Sequence, residues 1–219
     1  MQITEIFRSI QGESTHAGLP CIFVRLTGCN LRCVWCDTAY AFHGGQAKSV
    51  EDVLAGVRNL SECDGRRLVN LVELTGGEPL LQKDIYPLID RLLDLEYRVL
   101  IETSGERDIS KLPAPVVRIL DVKCPGSGEG GTFRLENLAA LRPPDQLKFV
   151  LADRQDYEWA RQFLAEHPVR DQVEAILFSP VFGQMEPRLL AGWILEDGLP
   201  IRLGLQLHKF IWDPDTPGV

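Results

Sequence analysis

Short apolar, β-branched runs recur along the chain at 21–27, 68–74, 97–102, 116–122, 146–151, 173–178 and 200–206. Each is of strand length and lies between turn-forming residues. Between the runs the apolar period changes to that of a helix. In 49–60, Val50, Val53, Leu54, Val57 and Leu60 share a face behind Ser49, which suits an N-cap, while Glu51 and Asp52 complement the helix dipole. Ile85, Leu88, Ile89, Leu92 and Leu93 repeat the pattern over 83–95, and Asp153 opens a third helix carrying Tyr157, Ala160 and Leu164. Residues 132–141 and 187–196 are predicted to supply two more. Residues 1–20 read as a short strand or hairpin followed by a turn-rich segment, and the last seven, DPDTPGV, as an extended tail. Strands alternating with helices predict right-handed β-α-β units and a parallel sheet.

The polar, glycine-rich segments fall in register with these strands. GCNLRCVWCDT follows the first run, TGGEP (75–79) the second, ETSG (102–105) the third, DVKCPGSG (121–128) the fourth, SPVFG (179–183) the sixth and QLHK (206–209) the last. The carboxyl ends of strands gather the ligand loops in β/α barrels and open α/β sheets, so these segments are expected to converge on one mouth. In the first run Ile22, Val24 and Leu26 share the face that suits helices, which turns Phe23, Arg25 and Thr27 toward the interior. An inward arginine needs an anion. A carboxylated ligand and an internal ion pair to Asp or Glu both satisfy it.

With 219 residues, 45% hydrophobic and 25% charged, the chain is expected to form one domain over 1–219. No apolar run approaches the ~20 residues that span a bilayer, and the first residues lack the layout of a signal peptide, so a cytoplasmic protein without membrane contact is expected. A net charge of −8 disfavours tracking of a nucleic-acid backbone and favours a small-molecule substrate.

Cys29, Cys33 and Cys36 form C-x3-C-x2-C with no fourth cysteine to close the set. Three soft thiolates select an iron–sulfur cluster or zinc, and an incomplete set leaves a position for a ligand. His43 could complete a structural Cys3His zinc site. Cys21 reads as a small core residue and Cys63 as a loop residue, while Cys124, beside Lys123 near the presumed site, reads as a structural residue or a reactive thiol. GGEP could also be only a helix-opening turn with Pro79 near N1.

The cysteine run with Trp35 before its third cysteine, joined to GGE after the next strand, resembles the radical S-adenosylmethionine (SAM) superfamily. That resemblance implies a partial β/α barrel, a [4Fe–4S] cluster on the three cysteines, and SAM chelating the fourth iron. Homolysis of SAM would give a 5′-deoxyadenosyl radical that abstracts a substrate hydrogen. Trp35, Cys36 and Asp37 would border the adenosine, and Gly76, Gly77 and Glu78 the methionine amino end, with Glu78 offsetting the ammonium. Asp121, Val122 and Lys123 would add SAM contacts, as would Ser179, Pro180, Val181 and Phe182.

EIFRSIQGES (5–14), TGGEPLLQ, ETSG and the closing HK extend the similarity over most of the chain to the 7-carboxy-7-deazaguanine synthases. This family resemblance implies conversion of 6-carboxy-5,6,7,8-tetrahydropterin to 7-carboxy-7-deazaguanine and ammonia by radical ring contraction, on the route to queuosine. By the same resemblance Ile10, Gln11 and Gly12 of an N-terminal substrate segment (1–20) would meet the pterin edge, and Arg25 the substrate carboxylate. Thr75 would also touch substrate, His208 and Pro214 in a tail at 207–219 would close the pocket, and Thr38 would ligate Mg2+ with substrate oxygens completing the shell. Thr38 could instead cap the following turn. A homodimer and a flavodoxin-type electron donor are further implied. Ser14 replaces a glycine usual in the family, which matters if that position adopts positive φ. A glycyl-radical-enzyme activating enzyme shares the cluster motif, but QGE and HK point away from it.

Overall fold

The computed structural model describes residues 1–214 and 216–219. In chain order the strands and helices are β1 (Gln2–Ile10), β2 (Pro20–Leu26), β3 (Gln46–Ala47), α1 (Val50–Ser61), β4 (Glu62–Cys63), β5 (Arg66–Arg67), β6 (Leu71–Gly76), α2 (Ile85–Asp94), β7 (Arg98–Thr103), β8 (Val117–Asp121), β9 (Gln146–Leu151), α3 (Arg154–Glu166), β10 (Ala175–Pro180), α4 (Pro187–Asp197), β11 (Arg202–Leu203) and α5 (His208–Ile211). One sheet runs β3-β1-β2-β6-β7-β8-β9-β10-β11, and β4 and β5 form a separate hairpin. From β2 to β11 every pairing is parallel, while β1 and β3 are antiparallel additions at one edge. Two edges remain, so this is a partial β/α barrel.

Local sequence explains the helices. Ser49 and Asp52 form a reciprocal capping box at the start of α1. Asp153 accepts from the amides of Gln155 and Asp156 at the start of α3. Helix α2 buries Ile85, Leu88, Ile89 and Leu92, the stripe its period predicts. In α3 the buried apolar positions are Tyr157, Ala160 and Phe163, whereas Leu164 is only partly covered.

Two expected elements differ. The 132–141 segment is a short 3-10 turn over Leu135–Ala140 rather than an α-helix. It is held by tertiary bonds: the Asn137 amide group donates to the carbonyls of Gly105 and Arg107 and accepts from the Ile109 amide. The last strand shrinks to Arg202–Leu203, because Gly204 turns against Ser179, whose Oγ lies 2.5 Å from where a Gly204 Cβ would stand.

The sheet's two faces bury different chemistry. Its outer face packs on the helices in one large apolar core that includes Ile22, Val24 and Leu26, all fully buried. The inner face holds a small plug of Cys21, Phe23, Leu71, Leu100, Val117 and Ile119, with Phe7 stacked on Phe23 at 5.0 Å. Two residues further along the same strands lie Arg25, Glu73, Glu102 and Asp121. The pleat's period of two therefore floors the barrel with apolar groups and lines its mouth with charge. Among the described residues no helix is long and apolar enough to cross a membrane.

Candidate active site

A cavity of about 640 Å³ opens at the carboxyl ends of the strands. Its wall carries every residue expected at the site except Glu78, Val122, Ser179 and Pro180, which are buried away from it. Residues from position 10 to position 214 thus converge.

The loop after β2 is pinned at several points. Gly28 N donates to Ala41 O at 2.8 Å and Val34 N to Ser127 O at 2.9 Å, while Arg32 lies over the Phe42 ring at 4.4 Å and caps the carbonyls of Cys29 and Leu31. Cys29, Cys33 and Cys36 are free, half-buried and on the cavity wall. His43 is exposed and off that wall, which removes the fourth ligand of the zinc alternative. Among the described residues no three His, Cys, Asp or Glu side chains gather round one point as a mononuclear ion needs. A wider cluster suits three soft thiols spread on one wall, and the donor set fits it. Cys21 and Cys124 are fully buried, and Cys63 is exposed on the β4–β5 hairpin.

The glycines at the end of β6 also have a packing reason of their own. A Cβ on Gly76 would stand 2.3 Å from Leu26 O, and one on Gly77 2.2 Å from Gly28 O and 2.7 Å from Cys29 Cβ. Both glycines are needed where their loop crosses the thiol-bearing loop. Glu78 does not reach the cavity. Its carboxylate accepts from Leu80 N, Thr103 Oγ1 and the Ser104 amide and hydroxyl at 2.7–3.0 Å, so it clamps the loop after β7 to the loop after β6. It also caps a 3-10 turn with Pro79 at its first position. Val122 and Pro180 are buried in the fold, and Ser179 packs on Gly204.

Arg25 finds its internal anion in Glu5. Its Nε donates to Glu5 Oε1 at 2.7 Å, and the guanidinium sits between the rings of Phe7 and Tyr40 at 5.8 and 5.9 Å. Tyr40 Oη also donates to Glu5 at 2.8 Å. Among the described residues no acceptor engages Nη1 or Nη2, so the fork is held by its stem and open at its tip. The Thr38 side chain makes no capping bond to the following turn and lies on the wall, 3.7 Å from Cys36 Sγ.

Beside Glu13 and Asp121, the interior carries Glu73, Glu102 and Lys148, which sequence reading did not single out as site residues. Lys148 on β9, only 4% exposed, donates to Glu13 at 2.7 Å and to Glu102, and lies 3.8 Å from Asp121. Burial alone would lower its pKa, but Glu102, Glu13 and Asp121 hold it well above the ordinary lysine value. Burial opposes ionisation of Glu13 and Asp121 too, yet Lys148, with Lys123 for Asp121, brings both below the usual carboxylate range. Glu102 and Glu73 go the other way, raised by burial and by their acidic neighbours. Asp121 Oδ1 is buried and has no hydrogen-bond partner among the described residues, so a donor from a ligand would satisfy it. The signal for these residues was one charged position inside each apolar run: Glu73, Glu102 and Lys148.

The Gln11 side chain links the turn to this interior. Its Nε2 donates to Glu73 and its Oε1 accepts from Glu13 N at 2.7 Å. The His208 ring fills the space beside Gly12, with Nδ1 2.1 Å from where a Cβ would stand, and burial lowers the His208 pKa.

A parallel partial barrel whose mouth joins three free thiols to a doubled-glycine loop defines the class. The family model of the radical SAM superfamily matches residues 23–119, and the chain is a radical SAM enzyme whose cofactors are a [4Fe–4S] cluster and SAM. The 7-carboxy-7-deazaguanine synthase of Koribacter versatilis is 53% identical over 232 aligned positions covering all of both chains. That of Chlorobaculum tepidum is 44% identical, covering all of this chain and 97% of its own. The crystal structure of QueE from Escherichia coli superposes with a TM-score of 0.77 at 26% identity over 94% of each chain. This chain belongs to the 7-carboxy-7-deazaguanine synthase family.

Proposed function

We propose that the chain acts as one radical SAM domain that binds 6-carboxy-5,6,7,8-tetrahydropterin beside SAM and converts it to 7-carboxy-7-deazaguanine and ammonia. One observation carries the reading: the three thiols and the open tip of Arg25 face a single cavity. When bound, the reduced cluster and SAM supply a carbon radical that takes a hydrogen atom from substrate.

The chain's own residues bind and orient. Arg25 receives the substrate carboxylate through its two Nη groups, while Glu5 and Tyr40 keep the guanidinium from swinging. Glu73 and Glu102, both raised in pKa by burial and by their acidic neighbours, line the same cavity and offer carboxyl groups to the pterin edge. Backbone groups of Ile10, Gln11 and Gly12 in the 1–20 segment meet the same edge, and Thr75 adds a hydroxyl. His208 and Pro214 of the 207–219 tail close the mouth and exclude water. Thr38 would offer one oxygen to Mg2+, with substrate oxygens and waters completing the shell. Cys29, Cys33 and Cys36 hold the cluster; Trp35, Asp37, Gly76, Gly77, Asp121, Lys123, Val181 and Phe182 border SAM, with Glu78, Val122, Ser179 and Pro180 acting through the loops they brace.

We place this chemistry in a cytoplasmic homodimer reduced by a flavodoxin-type donor. The deciding experiment incubates anaerobically reconstituted protein with carboxytetrahydropterin, SAM and a reductant. Stoichiometric ammonia and a deazaguanine chromophore, both dependent on SAM, are expected. SAM cleavage without turnover of this pterin would overturn the substrate assignment.

A further inference from the structure

Three segments that the sequence keeps far apart meet at Asp37. Its Oδ2 accepts from Lys209 Nζ at 2.7 Å and from Gln206 Nε2 at 3.3 Å. The same Gln206 amide donates to Glu13 Oε1 at 2.9 Å, and Leu207 N donates to Gly12 O at 2.9 Å. Lys209 Nζ also lies 5.5 Å from the centre of the Phe182 ring, which packs edge-on to Phe210 at 5.6 Å. One short stretch, 206–210, therefore grips the cysteine loop, the turn at 11–13 and the loop after β10.

In this contact the cation is covered while the Asp37 carboxylate stays 46% exposed. The Lys209 side chain keeps 10% of its surface exposed, and its charge is wedged between a carboxylate and an aromatic face. A covered cation whose carboxylate is shared with a second donor, Gln206, is more restricted in geometry than a pair of freely moving side chains. Fixing Asp37 orders Lys209 and Gln206, and an ordered Gln206 fixes Glu13.

We propose that Gln206 and Lys209 form a latch that couples the two ligand sites, so that a ligand on the cysteine loop and one on the 11–13 turn tighten each other's binding. They are positioning residues. The proposal rests on the functional reading above for which ligand lies at which end. Reciprocity requires the two ligands to enhance each other by the same factor, about tenfold for coupling of ordinary size.

The test uses anaerobically reconstituted protein and calorimetric titration of SAM with and without saturating 7-carboxy-7-deazaguanine. Wild type is expected to bind SAM about tenfold more tightly when the deazaguanine is present. Lys209→Met and Gln206→Ala should bring that factor close to one, with less than threefold change in SAM affinity alone, and Lys209→Arg should restore it. An uncoupled wild type, or a Lys209→Met protein that keeps the full factor, overturns the latch. Hydrogen exchange on the ligand-free protein decides the matter independently. Lys209→Met should speed amide exchange at both 10–14 and 36–41, and a change confined to 206–212 overturns the proposal. If wild type binds SAM but not the deazaguanine, the functional reading fails while the exchange result still judges the latch.

Discussion

Gly77 rests against Gly28 so closely that a Cβ would stand 2.2 Å from the Gly28 carbonyl oxygen, the same oxygen that accepts from Glu78 N at 2.8 Å. The two loops are locked by backbone at the residue before the first cysteine. Nothing flexible can yield there, so Gly77→Ala must displace one loop. Overpacking of this kind costs about 1–3 kcal/mol, and the displacement falls on Cys29. We expect Gly77→Ala to lower the melting temperature by several degrees and to retain less than half the wild-type iron after reconstitution. Full iron and an unchanged melting temperature would contradict the packing argument.

Ser14 adopts φ = 61°, the left-handed conformation in which a glycine would be unstrained. Partial compensation comes from the Ser14 hydroxyl, which accepts from His16 N at 3.1 Å. Left-handed backbone costs a non-glycine residue about 1–2 kcal/mol. Ser14→Gly should therefore stabilise the protein by about 0.5–1 kcal/mol, a rise of roughly 1–4 °C read by calorimetry. A fall in melting temperature would show that the hydroxyl bond outweighs the strain.

Removing a thiol and removing the exposed imidazole should have opposite consequences. Cys33→Ala is expected to lose the cluster's visible absorption and nearly all bound iron, whereas His43→Ala keeps both. His43 stands exposed and away from the wall that carries the thiols. Loss of metal in the His43 variant, checked by elemental analysis, would restore the zinc alternative.

Much of this architecture was legible because its signals are local. Ser49 and Asp153 cap the helices their positions predicted, and alternation along β2 correctly sent Ile22, Val24 and Leu26 outward and Arg25 inward. The same alternation would have exposed Glu73, Glu102 and Lys148, each one polar step beyond an apolar plug residue or its strand neighbour. What local pattern could not supply was pairing. That Lys148 joins three acids from three segments depends on strand order and register, and that Glu78 turns inward to brace Thr103 and Ser104 depends on a loop crossing. The segment at 132–141 misled for the same reason, since Asn137 is held by the distant Gly105 and Arg107 carbonyls rather than by a helical period.

Glu73 gives a pH test with a definite sign. Burial first, then Glu102 and Glu13, raise its pKa well above the ordinary 4.5, while Lys148 and Arg25 only partly oppose them. A carboxyl with a raised folded pKa favours folding fully below the unfolded value, and that contribution is lost as pH rises through the folded value. Glu73→Gln stays neutral throughout and can still accept from Gln11. The variant should match wild type near pH 4 and exceed it increasingly toward pH 8, as measured by urea midpoints at constant salt. A constant difference across that range would mean that Glu73 titrates alike in both states.

Arg25 carries the sharpest functional prediction. Its Nε is already committed to Glu5, so binding a carboxylate falls to the two Nη groups, and the planar fork is needed for both tasks at once. A lysine offers one ammonium and no fork, and it would have to choose between Glu5 and the ligand. Truncating one partner of a buried charge pair costs about 2–5 kcal/mol, or roughly 30- to several-thousand-fold. Arg25→Lys should therefore weaken binding of the carboxylated pterin within that range, and Arg25→Met should do at least as much. SAM affinity measured alone should change less than threefold, because the Arg25 contacts to Glu5, Phe7 and Tyr40 do not include the cysteine loop's thiols. A parallel loss of SAM binding would reassign Arg25 to the cofactor side of the cavity, and unchanged pterin binding would leave Glu5 as its only anion.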